Sequence, residues 1–132
     1  MSDVLGTAPL VFQLRLPSHP ISVSVARHLV RSLRPYLPEE RSDRLELILS
    51  EVVTNAVRHG STGPDDVVEV ELSASSDALA GSVRDQGPPF TPPGPPTDIE
   101  QIGGFGLHIV AQLAESWAVE PAPSGNLVRF TV

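Results

Sequence analysis

Six of the nine residues from 88 to 96 are proline. Proline fixes φ and has no backbone N–H, so neither a helix nor a central strand continues through such a segment. It divides the chain into a longer part before residue 88 and a shorter part that begins with a cluster of glycines at 103–106. We expect residues 86–98 to form a loop between the two parts.

Hydrophobic patterning predicts five elements before this loop. Residues 10–16 alternate between apolar and polar side chains, which predicts a strand. Helical periodicity predicts helices at 20–34 and 38–59, with prolines at the boundaries. Residues 67–74 and 78–85 are predicted strands joined by a short Ser-Ser-Asp turn, which favours a hairpin.

After the loop, the pattern predicts one helix at 106–116 and strands at 117–121 and 126–132. The predicted fold class is α+β, a two-layer sandwich with helices on one face of a mixed, mostly antiparallel sheet. The length fits one domain, so we expect residues 1–132 to form a single domain.

The first predicted helix has an apolar side and a basic side. We expect Ser18 to cap it. Its predicted apolar stripe consists of Ile21, Val25, Leu29 and Leu33. Arg27, Arg31 and Arg34 are predicted on the opposite side, where they would either dock an acidic partner or form an ordinary solvated face.

All nine basic residues are arginine, and the chain contains no lysine. A Walker A loop, a eukaryote-type protein kinase and Schiff-base chemistry each need a lysine, so all three are excluded. There is also no cysteine, which excludes disulfides and thiolate metal sites. Any phosphate site must therefore use backbone N–H groups, arginine or a metal ion.

The net charge of −7 argues against nonspecific binding to nucleic acid. The N-terminal residues lack a signal-peptide pattern, and no apolar run approaches the length of about 20 residues that a membrane span requires. We expect a cytoplasmic protein with no membrane segment.

The second predicted helix carries the first motif, Glu51 to Gly60. Glu51, Asn55 and His59 fall one turn apart, beside the apolar stripe of Leu45, Leu49, Val52 and Ala56. A carboxylate and an amide oxygen so arranged suit Mg²⁺ and the orientation of a hydroxyl group. The alternative is an ordinary amphipathic helix with polar residues at its margin.

The second motif is Asp85-Gln86-Gly87, at the end of a predicted strand. A sheltered carboxylate there suits an exocyclic amine such as that of adenine, and glycine permits close approach of a ring. The alternative is a simple turn.

The third motif is Gly103-Gly104-Phe105-Gly106, which leads into a predicted helix. Free N–H groups at a helix N-terminus favour an anion. A Rossmann fingerprint does not fit this spacing. A glycine-rich hinge remains the alternative.

Together, in this order and spacing, the three motifs resemble the N, G1 and G2 boxes of the GHKL ATPases, which include gyrase B, MutL and histidine kinases. The resemblance covers nearly the whole chain. It is closer to the bacterial anti-sigma-factor serine kinases of the RsbW and SpoIIAB class.

The resemblance implies ATP and Mg²⁺ as cofactors. Glu51 would be the general base and Asn55 the Mg²⁺ ligand, while Asp85 would bind the adenine amine. The segment 88–102 would be the lid, although its prolines could instead form a polyproline ligand. The full set of residues implied to contact ATP is Asn55, Arg58, His59, Asp85, Gly87, Gly104, Phe105, Gly106 and Leu107.

The chain departs from the family pattern at two places. Pro88-Pro89 stands where many relatives have a second glycine, which stiffens the lid. Phe105 stands where some relatives have an arginine near the γ-phosphate, a large catalytic contribution.

The implied function is an anti-sigma factor and kinase that phosphorylates an anti-anti-sigma (STAS) protein, with a sigma factor as second partner and a possible homodimer. The alternative is an ATP-binding partner switch without phosphoryl transfer. The catalytic piece of a histidine kinase is a third possibility, but the sequence has no phosphoacceptor helix pair.

Overall fold

The computed structural model describes residues 10–59, 63, 65–75, 78–87, 105–122 and 125–132. Within these ranges the side chains of residues 59, 105–107 and 122 are not described. The predicted lid at about 88–102 and the predicted phosphate-binding Gly104 lie outside the described residues.

In the described ranges, five strands form one sheet with the order β1-β2-β3-β5-β4, and every neighbouring pair is antiparallel. The mixed sheet predicted from sequence is therefore corrected to an antiparallel one in the described part of the chain. The α+β class, with helices on one face, is confirmed. The strands are β1 Leu10–Pro17, β2 Val67–Ala74, β3 Leu79–Asp85, β4 Ser116–Ala122 and β5 Gly125–Thr131.

The second layer, as far as the structure describes the chain, consists of three α-helices: α1 Ile21–Leu33, α2 Glu39–His59 and α3 Phe105–Leu113. A short 3₁₀ turn at Arg34–Tyr36 separates α1 from α2, because Pro35 cannot continue the helix. Among the described residues, no helix has the length and apolar character needed to cross a membrane.

The third helix ends earlier than its pattern predicts, at Leu113 instead of residue 116. The backbone N–H of Ala114 still donates to the Val110 carbonyl, but that of Glu115 donates to Thr131 in β5. The sheet therefore takes over the backbone hydrogen bonds, and Ser116 already belongs to β4.

The core lies between the sheet and α2. Alternate β2 residues Val68, Val70 and Leu72 are buried, as the period of two in a strand requires. The apolar stripe predicted for α2 is confirmed, and each of its members is buried: Leu45, Leu49, Val52 and Ala56.

The apolar stripe predicted for α1 is wrong in its first half. Ile21 is 60% exposed and Val25 is 41% exposed. Leu33 is buried as predicted and Leu29 is half-buried against the core, while the other buried residues are Ser22, Ala26 and Val30. α1 packs against α2, and the larger Ile21 and Val25 are exposed.

Ser18 does not cap α1, contrary to the sequence prediction. The N-cap residue is Pro20, without a side-chain cap. The Nδ1 atom of His19 accepts a hydrogen bond from the Ile21 N–H at 3.1 Å. The backbone N–H of Ser18 donates to the carbonyl of Asp66, so Ser18 ties the start of α1 to the segment before β2.

Candidate functional site

The first group of predicted site residues lies on α2, which packs against α1, α3, β2 and β3. Ser50 marks the flank toward α1, since it accepts a hydrogen bond from Arg27 at 2.7 Å. At about 100° per residue, Glu51 and Asn55 are rotated away from that flank and lie one turn apart. Both are half-buried, as expected for polar groups at the margin of a site.

The last turn of α2 carries the two other predicted residues of this motif. Arg58 is exposed, and the backbone of His59 is the last helical position. The side chain of His59 lies outside the described residues. The helix is continuous through the motif, so Glu51, Asn55 and His59 do share the helical spacing predicted for them.

The second group is built around Asp85, the last residue of β3. Asp85 is only 5% exposed although it carries a carboxyl group. Its Oδ1 atom accepts a hydrogen bond from the Gly87 N–H at 2.8 Å and another from Asn126 Nδ2 at 3.1 Å. Burial of a carboxylate is costly unless donors satisfy it, and these two donors fulfil that need.

Two residues of this arrangement, Gly125 and Asn126, were not identified from the sequence. Asn126 is 1% exposed at the start of β5, and a Cβ on Gly125 would lie 1.7 Å from the Asp85 carbonyl oxygen. The only sequence signal was weak, since Gly-Asn is a common turn pair and Asn is disfavoured in strands.

Gln86 anchors the turn between Asp85 and Gly87. Its Oε1 atom accepts a hydrogen bond from the Val67 N–H at 2.8 Å, at the start of β2. Because α2 leads into β2, and because α2 also packs on β3, the end of α2 and the Asp85 turn belong to the same end of the sandwich.

The third group lies at the start of α3. The backbone of Phe105, Gly106 and Leu107 forms its first turn, so the N–H groups there have no partner within the helix itself. Because α3 packs against α2, these residues lie on a helix next to the one that carries Glu51 and Asn55.

The described residues contain no cluster of three or more His, Asp or Glu side chains able to hold a metal ion. Mg²⁺ in nucleotide sites takes one or two protein oxygens together with phosphate and water. The amide oxygen of Asn55 and the carboxylate of Glu51 are oxygen donors of the required kind.

The predicted arginine row does not lie opposite the core stripe of α1 but on the flank that faces α2. Arg31 and Arg34 both bind Glu46, with N–O distances of 2.6 and 2.8 Å, and Arg34 also binds Asp43 at 2.7 Å. The row therefore joins α1 to α2, and a role of Arg27, Arg31 and Arg34 in docking a partner stays a prediction.

A broad concavity lies on the helix-free face of the sheet, lined by residues such as Arg15, Glu69 and Arg129. None of the predicted nucleotide-site residues lines it. The surface is open and mixed in charge, and it offers no sheltered carboxylate comparable to Asp85.

The sequence model of the histidine kinase-like ATPase domain matches residues 16–132. The chain belongs to this family. The matched range includes α2, β3 and α3, the elements that carry the predicted site residues.

Among curated proteins, this ATPase domain is similar to serine-protein kinase RsbW of Listeria monocytogenes serotype 4a, with 29% identity over 116 residues. The alignment covers 77% of this chain and 74% of the relative. RsbW of Listeria innocua is 28% identical over the same coverage.

Two solved structures share the fold. A structure of the RsbU and RsbW domains of a Mycobacterium tuberculosis protein has a TM-score of 0.71 and 17% identity. It matches 92% of this chain, which spans only 31% of that chain. The histidine kinase domain of a blue-light-activated kinase from Erythrobacter litoralis has a TM-score of 0.56 and 23% identity, covering 88% and 60% of the two chains.

Proposed function

We propose that this ATPase domain is an ATP- and Mg²⁺-dependent serine/threonine kinase that phosphorylates an anti-anti-sigma (STAS) protein and acts as an anti-sigma factor in a partner switch. The observation that carries the proposal is the buried Asp85 carboxylate, fixed by two N–H donors in a member of the histidine kinase-like ATPase family. The similarity to RsbW serine-protein kinases supports the kinase assignment.

Asp85 supplies the specificity for adenine. Both described hydrogen bonds to its carboxylate use Oδ1. In our proposal Oδ2 accepts a hydrogen bond from the exocyclic amine of adenine. The N–H of Gly87 is held by Asp85 itself, so the turn brings the nucleotide base next to a backbone without a side chain.

Asn55 would hold Mg²⁺ through its amide oxygen, and the bound ion would neutralise charge on the phosphates. The first N–H groups of α3, from Phe105 to Leu107, and the preceding Gly104 donate to phosphate oxygens. Arg58 and His59, at the end of α2, add positive charge or hydrogen bonds at the same phosphates.

Glu51 acts as the general base. The hydroxyl oxygen of a partner serine or threonine forms a bond to the γ-phosphorus, the bond from that phosphorus to the β,γ-bridging oxygen breaks, and ADP leaves. The proton of the hydroxyl group passes to the Glu51 carboxylate. Its half-buried position at the margin of α2 suits this role, because a general base must lie within hydrogen-bond reach of the hydroxyl group whose proton it takes.

The nucleotide site is tested by titration calorimetry with ATP, with and without Mg²⁺. We expect Asp85→Asn to weaken binding by about tenfold or more, since an amide N–H would then face the adenine amine. Glu120→Gln, on the exposed face of β4, is the matched control and should bind as the wild type does. Wild-type protein that binds no ATP would overturn the proposal.

The second candidate function is an ATP-dependent partner switch without phosphoryl transfer, favoured by Phe105 and by Pro88-Pro89 in place of the usual family residues. Glu51→Gln separates the two. If the protein is a kinase, radiolabel transfer from γ-labelled ATP to a STAS protein is lost while ATP binding is retained. If wild-type protein binds ATP but transfers no label, the switch is the correct function.

The proposal also includes a sigma factor as second partner, a homodimer and a cytoplasmic location. A competition experiment tests the partner switch, with sigma-factor binding measured at rising concentrations of unphosphorylated STAS protein. A sigma factor that is bound with ATP and released by the STAS protein agrees with the proposal. Binding that the STAS protein leaves unchanged contradicts it.

A further inference from the structure

Asn126 is the least exposed polar side chain at the nucleotide site, at 1%, and it comes from a different part of the chain than the Asp85 motif. Its Nδ2 atom lies 3.1 Å from Asp85 Oδ1, a contact between residues 41 positions apart. The Gly87 N–H donates to the same oxygen. One side of the carboxylate is therefore fixed by two donors.

The chemistry of these donors matters for what the other oxygen can do. An N–H group needs an acceptor oxygen, and it cannot itself accept a hydrogen bond from a ligand or a neighbour. Neither an amide side chain nor a backbone N–H loses its proton at ordinary pH. Both groups donate to Oδ1, so Asp85 is held as an acceptor and its carboxyl group is fixed relative to β5.

We propose that Asn126 is a positioning residue that sets base specificity: by holding Asp85 as a fixed acceptor, it makes the site select purines with a 6-amino group over purines with a 6-oxo group. The inference rests on the proposed function. A 6-oxo group is itself an acceptor. It would face the acceptor oxygen of Asp85 with no hydrogen between the two atoms, so no hydrogen bond could form. A site with a buried unpaired acceptor rejects such an analogue strongly.

Gly125 fixes the other half of the arrangement. The space where its side chain would begin is taken by the Asp85 carbonyl oxygen, at 1.7 Å from an ideal Cβ. Gly125 therefore packs against the backbone of Asp85, and Asn126 donates a hydrogen bond to its side chain. Asp85 and Asn126 are a register pair of the β3–β5 ladder, so both contacts are fixed by strand pairing.

The test compares ATP with inosine triphosphate, which carries a 6-oxo group, by titration calorimetry. Asn126→Leu keeps a similar volume and removes the donor. We expect its affinity for ATP to fall about tenfold or more, and its affinity for inosine triphosphate to change by less than about threefold. A residue that only supported the fold would weaken both nucleotides equally.

Asn126→Asp gives a readout within one variant. Two carboxyl groups at this distance share a proton at mildly acid pH, and the protonated Asp can donate to Asp85 as the amide does. At about pH 5.5 ATP affinity should be near that of the wild type, and at about pH 8.5 it should be at least about tenfold weaker, because both groups are ionised and repel.

The other titrating groups are present in both the variant and the wild type. Dividing the ATP affinity of the variant by that of the wild type at each pH therefore removes their effect, together with that of the nucleotide phosphates. The strands that pair with β3 carry the charged groups Glu69, Glu71 and Arg129. The second half of α2, which packs against β3, carries Glu51, Arg58 and His59.

Two results would overturn the inference: an Asn126→Leu variant that keeps the wild-type preference for ATP, or an Asn126→Asp ratio that is the same at both pH values. If Asn126→Leu does not fold, the pH ratio decides alone. Wild-type protein that binds no ATP would instead refute the proposed function, and the inference with it.

Discussion

At the scale of residues, the closest packing in the site is at Gly125. An alanine there would drive its Cβ into the backbone of Asp85, at 1.7 Å from the carbonyl oxygen and 2.6 Å from the carbonyl carbon. Backbone atoms of a strand cannot move aside as the tip of a flexible side chain can. The position therefore tolerates only glycine for reasons of space.

We expect Gly125→Ala to lower the free energy of unfolding by about 3 kcal/mol, as overpacking against a rigid neighbour does. Urea denaturation followed by circular dichroism measures the change. Gly63→Ala is the matched control, because a Cβ at Gly63 meets nothing within 4 Å, and it should change stability by less than about 1 kcal/mol. Equal effects at the two glycines would refute the packing argument.

The site motifs could be predicted from sequence only where they are local. Asp85 and Gly87 lie two positions apart, and the D-x-G spacing predicts a carboxylate at a strand end, where the structure has it. The contribution of Asn126 depends on the β3–β5 register, which aligns residues 41 positions apart. No local periodicity carries that information, so the hydrogen bond from Asn126 to Asp85 was not predicted.

At the scale of elements, the orientation of α1 can be tested with two valines of the same helix. Val30 is fully buried and Val25 is 41% exposed. Val30→Ala should cost about 2 kcal/mol of unfolding free energy, because it removes two buried methyl groups and leaves a cavity. Val25→Ala should cost less than about 0.5 kcal/mol. The opposite order in chemical denaturation would restore the stripe predicted from sequence.

The ion cluster between α1 and α2 gives a pH prediction. Burial alone would raise the pKa of Glu46, but hydrogen bonds from Arg31 and Arg34 and their charges lower it below its usual range. A folded-state pKa below the unfolded value stabilises the protein above the unfolded pKa, about 4.3 for Glu, and this contribution is lost as pH falls through the folded value.

We expect Glu46→Gln to cost about 1 kcal/mol at pH 7. This difference from wild type should shrink as pH falls below about 4.3, since wild-type Glu46 then also becomes neutral. Urea titrations from neutral to acid pH measure the difference. Glu40→Gln is the control, because Glu40 pairs with Arg44 in the same helix but is 83% exposed, and its effect should be small at every pH.

The two long helices show why one apolar stripe could be predicted and the other could not. In α2 the apolar residues fall on one arc, so periodicity alone fixes the buried side. In α1 apolar residues occur on more than one side, and the arginine row predicts that the side of the helix that carries it is exposed to solvent. They lie instead beside Ser50, Glu46 and Asp43 of α2, partners that a pattern within one helix does not reveal.

At the scale of the whole molecule, the candidate site lies where the two parts of the chain meet. The proline-rich segment separates them in sequence, yet β5 from the second part pairs with β3 from the first, and α3 packs on α2. The order β1-β2-β3-β5-β4 thus inserts the last strand of the chain beside Asp85. The loop expected at 86–98 separates the parts in sequence without separating them in the fold.

Because ligand contacts would come from both parts, nucleotide binding should stabilise the complete sandwich. At a concentration 100-fold above its Kd, a ligand adds about 2.7 kcal/mol, which for a domain of this size raises Tm by on the order of 10 °C. We expect this shift with Mg²⁺-ATP in differential scanning calorimetry, a smaller shift with inosine triphosphate at the same concentration, and little shift in Asp85→Asn. A shift of equal size with both nucleotides would mean that the triphosphate alone binds, and that Asp85 does not read the base.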